Sequence, residues 1–391
     1  MLSSIAQHFD QPANRLYLLK DQLLKRGDRI VDLVSGNVND QGIHFPPKIY
    51  AAAMASATHA SRHYRPDPLG QKPARVAISG YYAREGVKIS PDHIILTPGT
   101  SISYWYAFKV LADLGDEILC PTPSYPLFDS IARLADVKLV SYRLREALRW
   151  EIDFDHLKSA MTPRTKAIVL ISPHNPTGGV ASAEEIRQLA EIAARKGVAI
   201  ISDEVFSPFL FQSRRLPRPA ETAAPLVLTL NGFSKMLALP GLKIGWMAVT
   251  GDPSLVKKTM RALDMISDTF LPVNEAAQFS VPTLLQKSRG FQALFSLEIN
   301  RRMKQACDLL KEKDDVSFIQ PEGGFFMTLR IHGKMDEEEI ACQLLQKHRI
   351  LVHPGYFYDM EGHHLVFSFV IKPSVLSKSL THLTSHLTPH T

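Results

Sequence analysis

The sequence has few of the features that mark membrane, secreted or metal-binding proteins. No apolar run approaches the roughly 20 residues that a helix needs to cross a bilayer. The first residues show no basic region followed by an apolar one, as a secretory signal would. The three cysteines are far apart and form no C-x-x-C motif or cluster with histidine. We therefore expect reduced thiols, a cytoplasmic protein, no membrane segment and no metal site.

An excess of charge of one sign is also missing. The 45 basic and 39 acidic residues give a net charge of only +6 over 391 residues, which is weak evidence for nucleic-acid binding. No G-x-G-x-x-G follows the first predicted strand, so nothing indicates a nicotinamide enzyme. Apolar residues make up 45% of the chain, which excludes a disordered protein. The length predicts two or three domains.

In the middle of the chain, short apolar runs rich in β-branched residues alternate with helical patterns. The predicted strands are 94–96, 117–120, 137–142, 167–171, 198–202, 226–230 and 244–249. The helix predicted over 183–196 has Ser182 as its cap and acidic residues in its first turn. Strands alternating with such helices predict an α/β fold with a mostly parallel, seven-stranded-type sheet sandwiched by helices.

A different pattern begins near residue 252. Long helical patterns run to about residue 313 with a break near 287–290, and short strands and one further helix follow. The first 40 or so residues contain one helical pattern and no predicted strand, so we expect them to pack on the C-terminal unit. The predicted organisation is a large domain over 45–285 and a smaller α+β domain built from 1–44 together with 286–391.

Chemically distinctive residues follow the predicted strands, at the edge where open α/β sheets bind ligands. In chain order these are Gly99-Thr100-Ser101, Tyr125, Asn175, Asp203 and Ser234-Lys235. The glycine and hydroxyls that open a helix at 99–101 are typical of a phosphate site. Each motif alone is more often a turn or a helix cap. Together they describe a site with phosphate donors, an aromatic ring, an amide, a carboxylate and an amine.

In this combination the sequence resembles the fold-type I, pyridoxal-phosphate-dependent enzymes, specifically the class I/II aminotransferase family. The resemblance covers nearly the whole chain and rests on Tyr64 to Gly70, Asn175-Pro176-Thr177-Gly178, Asp203-Glu204-Val205-Phe206, Gly232-Phe233-Ser234-Lys235 and Gly241-Leu242-Lys243-Ile244-Gly245. It implies an aminotransferase that uses pyridoxal 5'-phosphate to move an amino group between an amino donor and an oxo acid or another carbonyl compound. It also implies a homodimer with shared active sites.

The resemblance assigns roles to individual residues. Lys235 forms the Schiff base and moves the substrate's Cα proton, Asp203 keeps the ring nitrogen protonated, and Tyr125 contacts the ring face. Asn175 binds the ring's 3-oxygen and, like Gly36, lies at the substrate. The residues implied at the phosphate are Gly99, Thr100, Ser101, Ser234, Lys243 and, from the neighbouring subunit, Tyr64.

Three positions depart from the family pattern. Phe206 replaces a tyrosine that hydrogen-bonds the 3-oxygen, and Lys243 replaces a phosphate-binding arginine, so phosphate binding should be less directional. Val366 stands two residues before Ser368-Phe369, where the family has the arginine that binds the substrate carboxylate. Other basic residues that could bind a carboxylate instead are Arg62, Arg84, Arg330 and Lys372. Alternatively, the substrate presents no free α-carboxylate there.

Two other functions remain open on the same scaffold. The first is a β-eliminating or C–S lyase or another non-transaminating pyridoxal-phosphate enzyme, because the residues around the cofactor do not determine which bond breaks. The second, more remote, is a non-catalytic regulatory domain that keeps the cofactor. The first 40 residues are too few and too poor in basic helix to supply the DNA-binding domain of such a regulator.

Overall fold

The structure is a computed structural model that describes residues 1–10, 12–212, 215–333 and 335–387. Its strands are β1 (Val31–Asp32), β2 (Ile94–Thr97), β3 (Glu117–Thr122), β4 (Lys138–Arg145), β5 (Glu151–Ile152), β6 (Thr165–Ile171), β7 (Ala199–Asp203), β8 (Leu226–Gly232), β9 (Gly245–Gly251), β10 (Val316–Ser317), β11 (Phe326–Ile331), β12 (Ile350–Leu351), β13 (His353–Pro354) and β14 (His364–Ser368). Its helices are α1 (Ser4–Phe9), α2 (Arg15–Lys25), α3 (Pro47–Ala60), α4 (Lys72–Arg84), α5 (Thr100–Leu111), α6 (Phe128–Leu134), α7 (Phe154–Ala160), α8 (Ala183–Lys196), α9 (Phe233–Met236), α10 (Pro253–Asp268), α11 (Glu275–Lys287), α12 (Arg289–Leu310), α13 (Glu337–His348) and α14 (Pro373–Leu387).

The large sheet has the strand order β2-β9-β8-β7-β6-β3-β4-β5. Neighbouring strands from β8 to β4 are parallel, whereas β9 is antiparallel to both of its neighbours and β5 is antiparallel to β4. The prediction of a mostly parallel sheet is confirmed. The sheet has eight strands rather than seven, because β5 adds an edge strand of two residues, which is too short to show a period of two in the sequence.

Helices cover both faces of this sheet, which explains why its central strands are largely apolar. Along β2, Ile94 and Leu96 pack into a cluster with residues of α4 and α11, while Ile95 packs on the opposite side with residues of α5 and α10. Successive side chains of a strand point to opposite faces, so a strand buried on both faces has no polar alternation. The predicted helix α8 begins with a capping box between Ser182 and Glu185.

The C-terminal part builds a second, antiparallel sheet of order β10-β11-β14-β13. The first 40 residues form no sheet of their own, as expected, but they contain a strand that was not predicted, β1, which pairs in parallel with β12. This strand has only two residues, so the sequence pattern could not show it. Helix α2 packs against α13, as expected for an N-terminal segment that lies on the C-terminal unit. The domain boundary at residue 285 stays a prediction.

The helical region between the two sheets is interrupted twice. The break expected near 287–290 lies at Ser288, which ends α11 and precedes α12. A second break, between α10 and α11, was not predicted; this segment contains Pro272, which cannot donate a backbone hydrogen bond. Among the described residues, no helix combines the length and the apolar character needed to cross a membrane.

Candidate functional site

A cavity of about 450 Å³ lies where the loops after the parallel strands meet the second sheet and the N-terminal segment. The large sheet contributes Thr100, Ser101, Tyr104, Tyr125, Asn175, Asp203 and Lys235 to its lining, and the other parts contribute Tyr17, Val34, Gly36, Phe326, His353 and Tyr358. Residues that are far apart in the sequence thus surround one volume. Most of the residues predicted for the site are among them.

Lys235 lies on the one-turn helix α9, directly after β8. Its Nζ donates a hydrogen bond of 3.4 Å to the carbonyl oxygen of Gly36 and lies 5.8 Å from the ring centroids of Phe206 and Phe325. Burial among these apolar groups lowers the pKa of the amine to about 8. A substantial part of the amine is therefore neutral, and nucleophilic, at mildly alkaline pH.

Gly36 leaves the space that the end of Lys235 occupies. A Cβ at position 36 would lie 3.0 Å from Nζ, closer than an ordinary van der Waals contact. Together with the hydrogen bond from Nζ, this proximity explains why a small residue stands here. Gly36 thus contacts the amine directly, and its role at the substrate stays a prediction.

Asp203 ends β7 and is nearly buried. Its Oδ1 accepts a hydrogen bond of 3.0 Å from the backbone N–H of Val205, and its Oδ2 accepts one of 2.8 Å from the hydroxyl of Tyr104. Burial raises the pKa of the carboxyl group to about 6, although both hydrogen bonds act in the opposite direction. A positively charged group placed beside this carboxylate would keep it ionised.

Tyr104 is a site residue that the sequence analysis missed. It lies on α5, and burial and the nearby Asp203 raise the pKa of its hydroxyl well above the usual value, so it remains a donor. The sequence contained a signal for it, because position 104 is four residues after Thr100 and therefore on the same helix face. That spacing alone does not identify its partner, which lies on a different strand.

Asn175 lies in the loop after β6 and faces the cavity. Its Oδ1 is buried and has no hydrogen-bond partner in the described part of the chain. A buried polar atom without a partner costs free energy, so such an atom in a cavity marks a place where a ligand binds. Tyr125 is half-buried in the same lining, and its ring contacts Phe128 edge to face, with centroids 5.8 Å apart.

The start of α5, where the sequence predicts a phosphate site, lies at the cavity. Gly99 precedes the helix with φ of 127°, a conformation that favours glycine, and no side chain caps the helix there. The first N–H groups of a helix have no partner within it and attract anions. Thr100 and Ser101 bring these groups and their hydroxyls to the cavity. The geometry suits a phosphate group.

Four predicted residues are not in the cavity lining. Gly99 and Ser234 are each next in sequence to a lining residue. Lys243 is exposed, after a short turn that follows α9. Tyr64 is 80% exposed and lines a separate depression with Leu271 and other residues, so within one chain it does not reach the cavity. A role for Tyr64 at the site requires a second chain and stays a prediction.

Two of the three residues that depart from the family pattern, Phe206 and Val366, are apolar and buried. Phe206 is buried and contacts Phe325, with ring centroids 5.0 Å apart. Val366 is fully buried in β14 and does not line the cavity. Arg330 pairs with Glu146 elsewhere, and none of the four basic residues considered as substitutes lines the cavity.

Comparison with known proteins gives consistent matches over almost the whole chain. The family model described as aminotransferase class I and II matches residues 28–369. The glutamate-pyruvate aminotransferase AlaA of Escherichia coli K12 is 28% identical over 349 residues, 86% of this chain and 85% of that protein. Its namesake from Haemophilus influenzae is 30% identical over 384 residues, 94% of this chain and 93% of that protein.

Solved structures match the whole fold. An alanine aminotransferase from Pyrococcus furiosus has a TM-score of 0.92 at 24% identity, and the match covers 99% of both chains. A single mutant of the Thermus thermophilus aspartate aminotransferase has a TM-score of 0.88 at 25% identity, again over 99% of both chains. The first of these likenesses shows the fold alone.

Proposed function

This chain belongs to the class I and II aminotransferase family, and on that premise we propose that it carries out amino transfer in the cavity around Lys235, with pyridoxal 5'-phosphate as the cofactor. The single observation that supports this most is that the amine of Lys235, the carboxylate of Asp203 and the unpartnered amide of Asn175 open on one cavity. The relatives named glutamate-pyruvate aminotransferases support an amino acid and an oxo acid as one substrate pair.

The residues present fit this cofactor. A buried amine with no acidic partner suits its aldehyde, and the start of α5 suits its phosphate. Asn175 lines the cavity, where its amide N–H can donate to the ring oxygen, and Tyr125 can cover the ring face. When bound, the cofactor supplies an electron-withdrawing ring that stabilises negative charge on the substrate carbon.

Lys235 would hold the cofactor covalently, and its amine, when free, would move the proton at the substrate Cα. A base is most effective when its pKa lies near the working pH, and burial has already lowered that of Lys235 to about 8. The neighbouring Phe206 and Phe325 exclude water from the amine. Proton transfer would therefore pass through Lys235 rather than through solvent.

Asp203 supplies the negative charge that keeps the ring nitrogen protonated. The Tyr104 hydroxyl and the Val205 N–H fix both carboxylate oxygens, so the charge is held in one orientation. Without the hydroxyl of a tyrosine at position 206, the ring oxygen depends on Asn175 for its hydrogen bond. We infer that Ser234 and Lys243 assist phosphate binding.

The proposal extends to assembly and location. A homodimer would bring a partner's tyrosine to the site, and the exposure of Tyr64 supports this. Met265 and Phe270 are also exposed apolar side chains near Leu271, as expected of a surface covered by a second chain. The three cysteines are buried and unpaired, which supports a reducing, cytoplasmic location.

An amino-donor screen on the purified protein with its cofactor tests this function. A competent donor converts the cofactor to its amino form and changes its absorbance, and an oxo acid then restores the original spectrum. Failure of every donor to cause this change contradicts amino transfer. Release of ammonia and pyruvate from a β-substituted amino acid supports the lyase alternative instead.

A further inference from the structure

One side of the cavity is formed by three polar aromatic residues from separate elements, which we call the polar cluster: Tyr17 of α2, His353 of β13, and Tyr358 in the turn after β13. The Tyr17 hydroxyl lies 2.9 Å from His353 Nε2, and the Tyr358 hydroxyl lies 3.1 Å from His353 Nδ1. Both nitrogens of the imidazole are thus occupied by tyrosines.

The hydrogen bonds to His353 leave one tyrosine hydroxyl free to donate to a ligand. Burial lowers the pKa of His353 to about 4, so the ring is neutral at physiological pH, with one N–H and one acceptor nitrogen. One tyrosine donates to the acceptor nitrogen, and the other accepts from the N–H. The second tyrosine keeps its own O–H available to a ligand. The polar cluster therefore offers an uncharged donor.

The position of the polar cluster indicates which part of the substrate it contacts. His353 is the register partner of Val366, where the family has its carboxylate-binding arginine. Among the described residues that line the cavity, only Lys235 and His353 can carry positive charge at all. Lys235 is committed to the cofactor, so no fixed cation faces the polar cluster within this chain.

The lining of the same cavity includes several apolar side chains, among them Val34, Leu127, Phe128 and Phe326. A carboxylate that enters such a lining loses its hydration and gains no cation in return, which is costly. An uncharged acceptor, such as an amide, ketone or hydroxyl oxygen, loses far less on entering. Apolar and aromatic groups gain from the same surroundings.

We propose that the polar cluster recognises an uncharged polar group, so that one of the two substrates is an amine or carbonyl compound with an apolar body and no free carboxylate beside the reacting carbon. This inference rests on the proposed amino transfer. The amine's carbon loses its C–N and C–H bonds and gains a C=O bond, while the carbonyl carbon of the second substrate undergoes the reverse change. The first carbon is oxidised by two electrons and the second is reduced by two, so no further oxidant or reductant is needed.

Calorimetric binding to the purified protein with its cofactor tests the inference without requiring turnover. The probes are 3-phenylpropanamide and 3-phenylpropionate, which match in shape and differ in charge. We expect the Kd of the amide to be no more than about threefold above the Kd of the carboxylate. A carboxylate that binds more than about threefold tighter, or no binding of the amide, overturns the proposal.

Tyr17→Phe and Tyr358→Phe test whether the polar cluster is responsible. We expect at least one of them to weaken amide binding about threefold to tenfold, as for the loss of one neutral hydrogen bond, while carboxylate binding changes less. Tyr356→Phe is the matched control, since Tyr356 is in the same turn but exposed and bonded to Glu338. Equal loss for both probes, or no loss in either variant, overturns the proposal.

The binding and turnover results separate the two levels of the argument. If no donor changes the cofactor spectrum but the amide still binds through the tyrosines, the proposed function fails and the polar cluster remains a recognition site. If donors react but only those with a carboxylate are bound, the function stands and this inference fails.

Discussion

The two sides of the cavity differ in origin and in chemistry. The cofactor side, which comprises Lys235, Asp203, Tyr104 and Asn175, comes from the large sheet and its loops and contains an amine and a carboxylate. The polar cluster comes from α2 and the region around β13 and holds no fixed charge. The charged groups thus lie on the side where we propose that the cofactor reacts. The uncharged polar cluster lies where we propose that the substrate is selected.

This difference teaches how one family can serve many substrates. The cofactor side must satisfy the same chemistry in every member, because a ring nitrogen, an aldehyde and a phosphate always need the same partners. The substrate side has no such constraint, and here an arginine is replaced by valine beside a histidine. Changes on the cofactor side should therefore alter rate, and changes in the polar cluster should alter selectivity.

The largest expected effect comes from Lys235→Ala. Without the amine there is neither covalent attachment nor a base, and the amino-transfer rate should fall by at least about 10³-fold. Single-turnover absorbance with a competent donor measures this rate. Lys257→Ala, on an exposed face of α10, is the control and should retain wild-type activity. A Lys235→Ala protein with a rate near that of the control contradicts the assignment.

Asp203→Asn should have the next largest effect, a loss of about 100-fold in rate, since an amide cannot keep the ring nitrogen protonated.

The free energy of unfolding of the Asp203→Asn protein should increase, although its rate falls. The pKa of Asp203 is raised to about 6 by burial, so its ionised form destabilises the cofactor-free protein above that pH. The variant without cofactor should therefore gain about 2 kcal/mol at pH 7.5, and less at pH 5.

Urea unfolding of the cofactor-free proteins at both pH values checks the second half of that prediction. The sign follows from the raised pKa: the stability contributed by the protonated carboxyl group is complete below about pH 4 and is lost as the pH rises through about 6. Equal stability of wild type and variant at pH 7.5 would show that burial of the ionised Asp203 carboxylate does not destabilise the protein.

Tyr104→Phe should reduce the rate by about tenfold, because a hydrogen bond to a charged group is lost. The bond stabilises the ionised carboxylate, so its removal raises the pKa of Asp203 further. The acidic limb of the pH–rate profile should move to higher pH, a change that a purely structural role of Tyr104 would not produce. An unshifted profile contradicts the positioning role.

Gly36→Ala should have the smallest effect on the cofactor side. The new Cβ would approach Nζ of Lys235 to 3.0 Å, but the flexible end of the lysine can move. We expect a rate loss below about tenfold, with a slower return of the cofactor to Lys235 after each turnover. Gly290→Ala, where a Cβ would meet nothing within 4 Å, is the control.

Much of the cofactor side was predictable from the sequence, and the polar cluster was not. Asn175, Asp203 and Lys235 each follow a strong apolar strand, and parallel strands bring their carboxyl ends together. Tyr104 is one helical turn beyond a predicted motif, yet its partner depends on how α5 packs beside β7. Tyr17 meets His353 only through the packing of α2 on the C-terminal unit, and no spacing in the sequence encodes that contact, whereas Tyr358 is close to His353 in the chain.

The same limit explains why two short strands of the fold were not predicted. The strands β1 and β5 have two residues each, so their existence is decided by their partners rather than by their own pattern. Long apolar runs such as those of β6 and β8 were found because burial on both faces fixes their composition. Sequence patterns thus predicted the long buried strands of the large sheet but not the two-residue strands β1 and β5.

The most direct test of the central claim is a pair of half-reactions followed by absorbance on the wild-type protein with its cofactor. An amino donor should convert the cofactor fully to its amino form, with one carbonyl product formed for each cofactor. An oxo acid should then restore the starting spectrum with one amino acid formed. A donor that is consumed while ammonia is released and the cofactor spectrum returns without an oxo acid would contradict amino transfer.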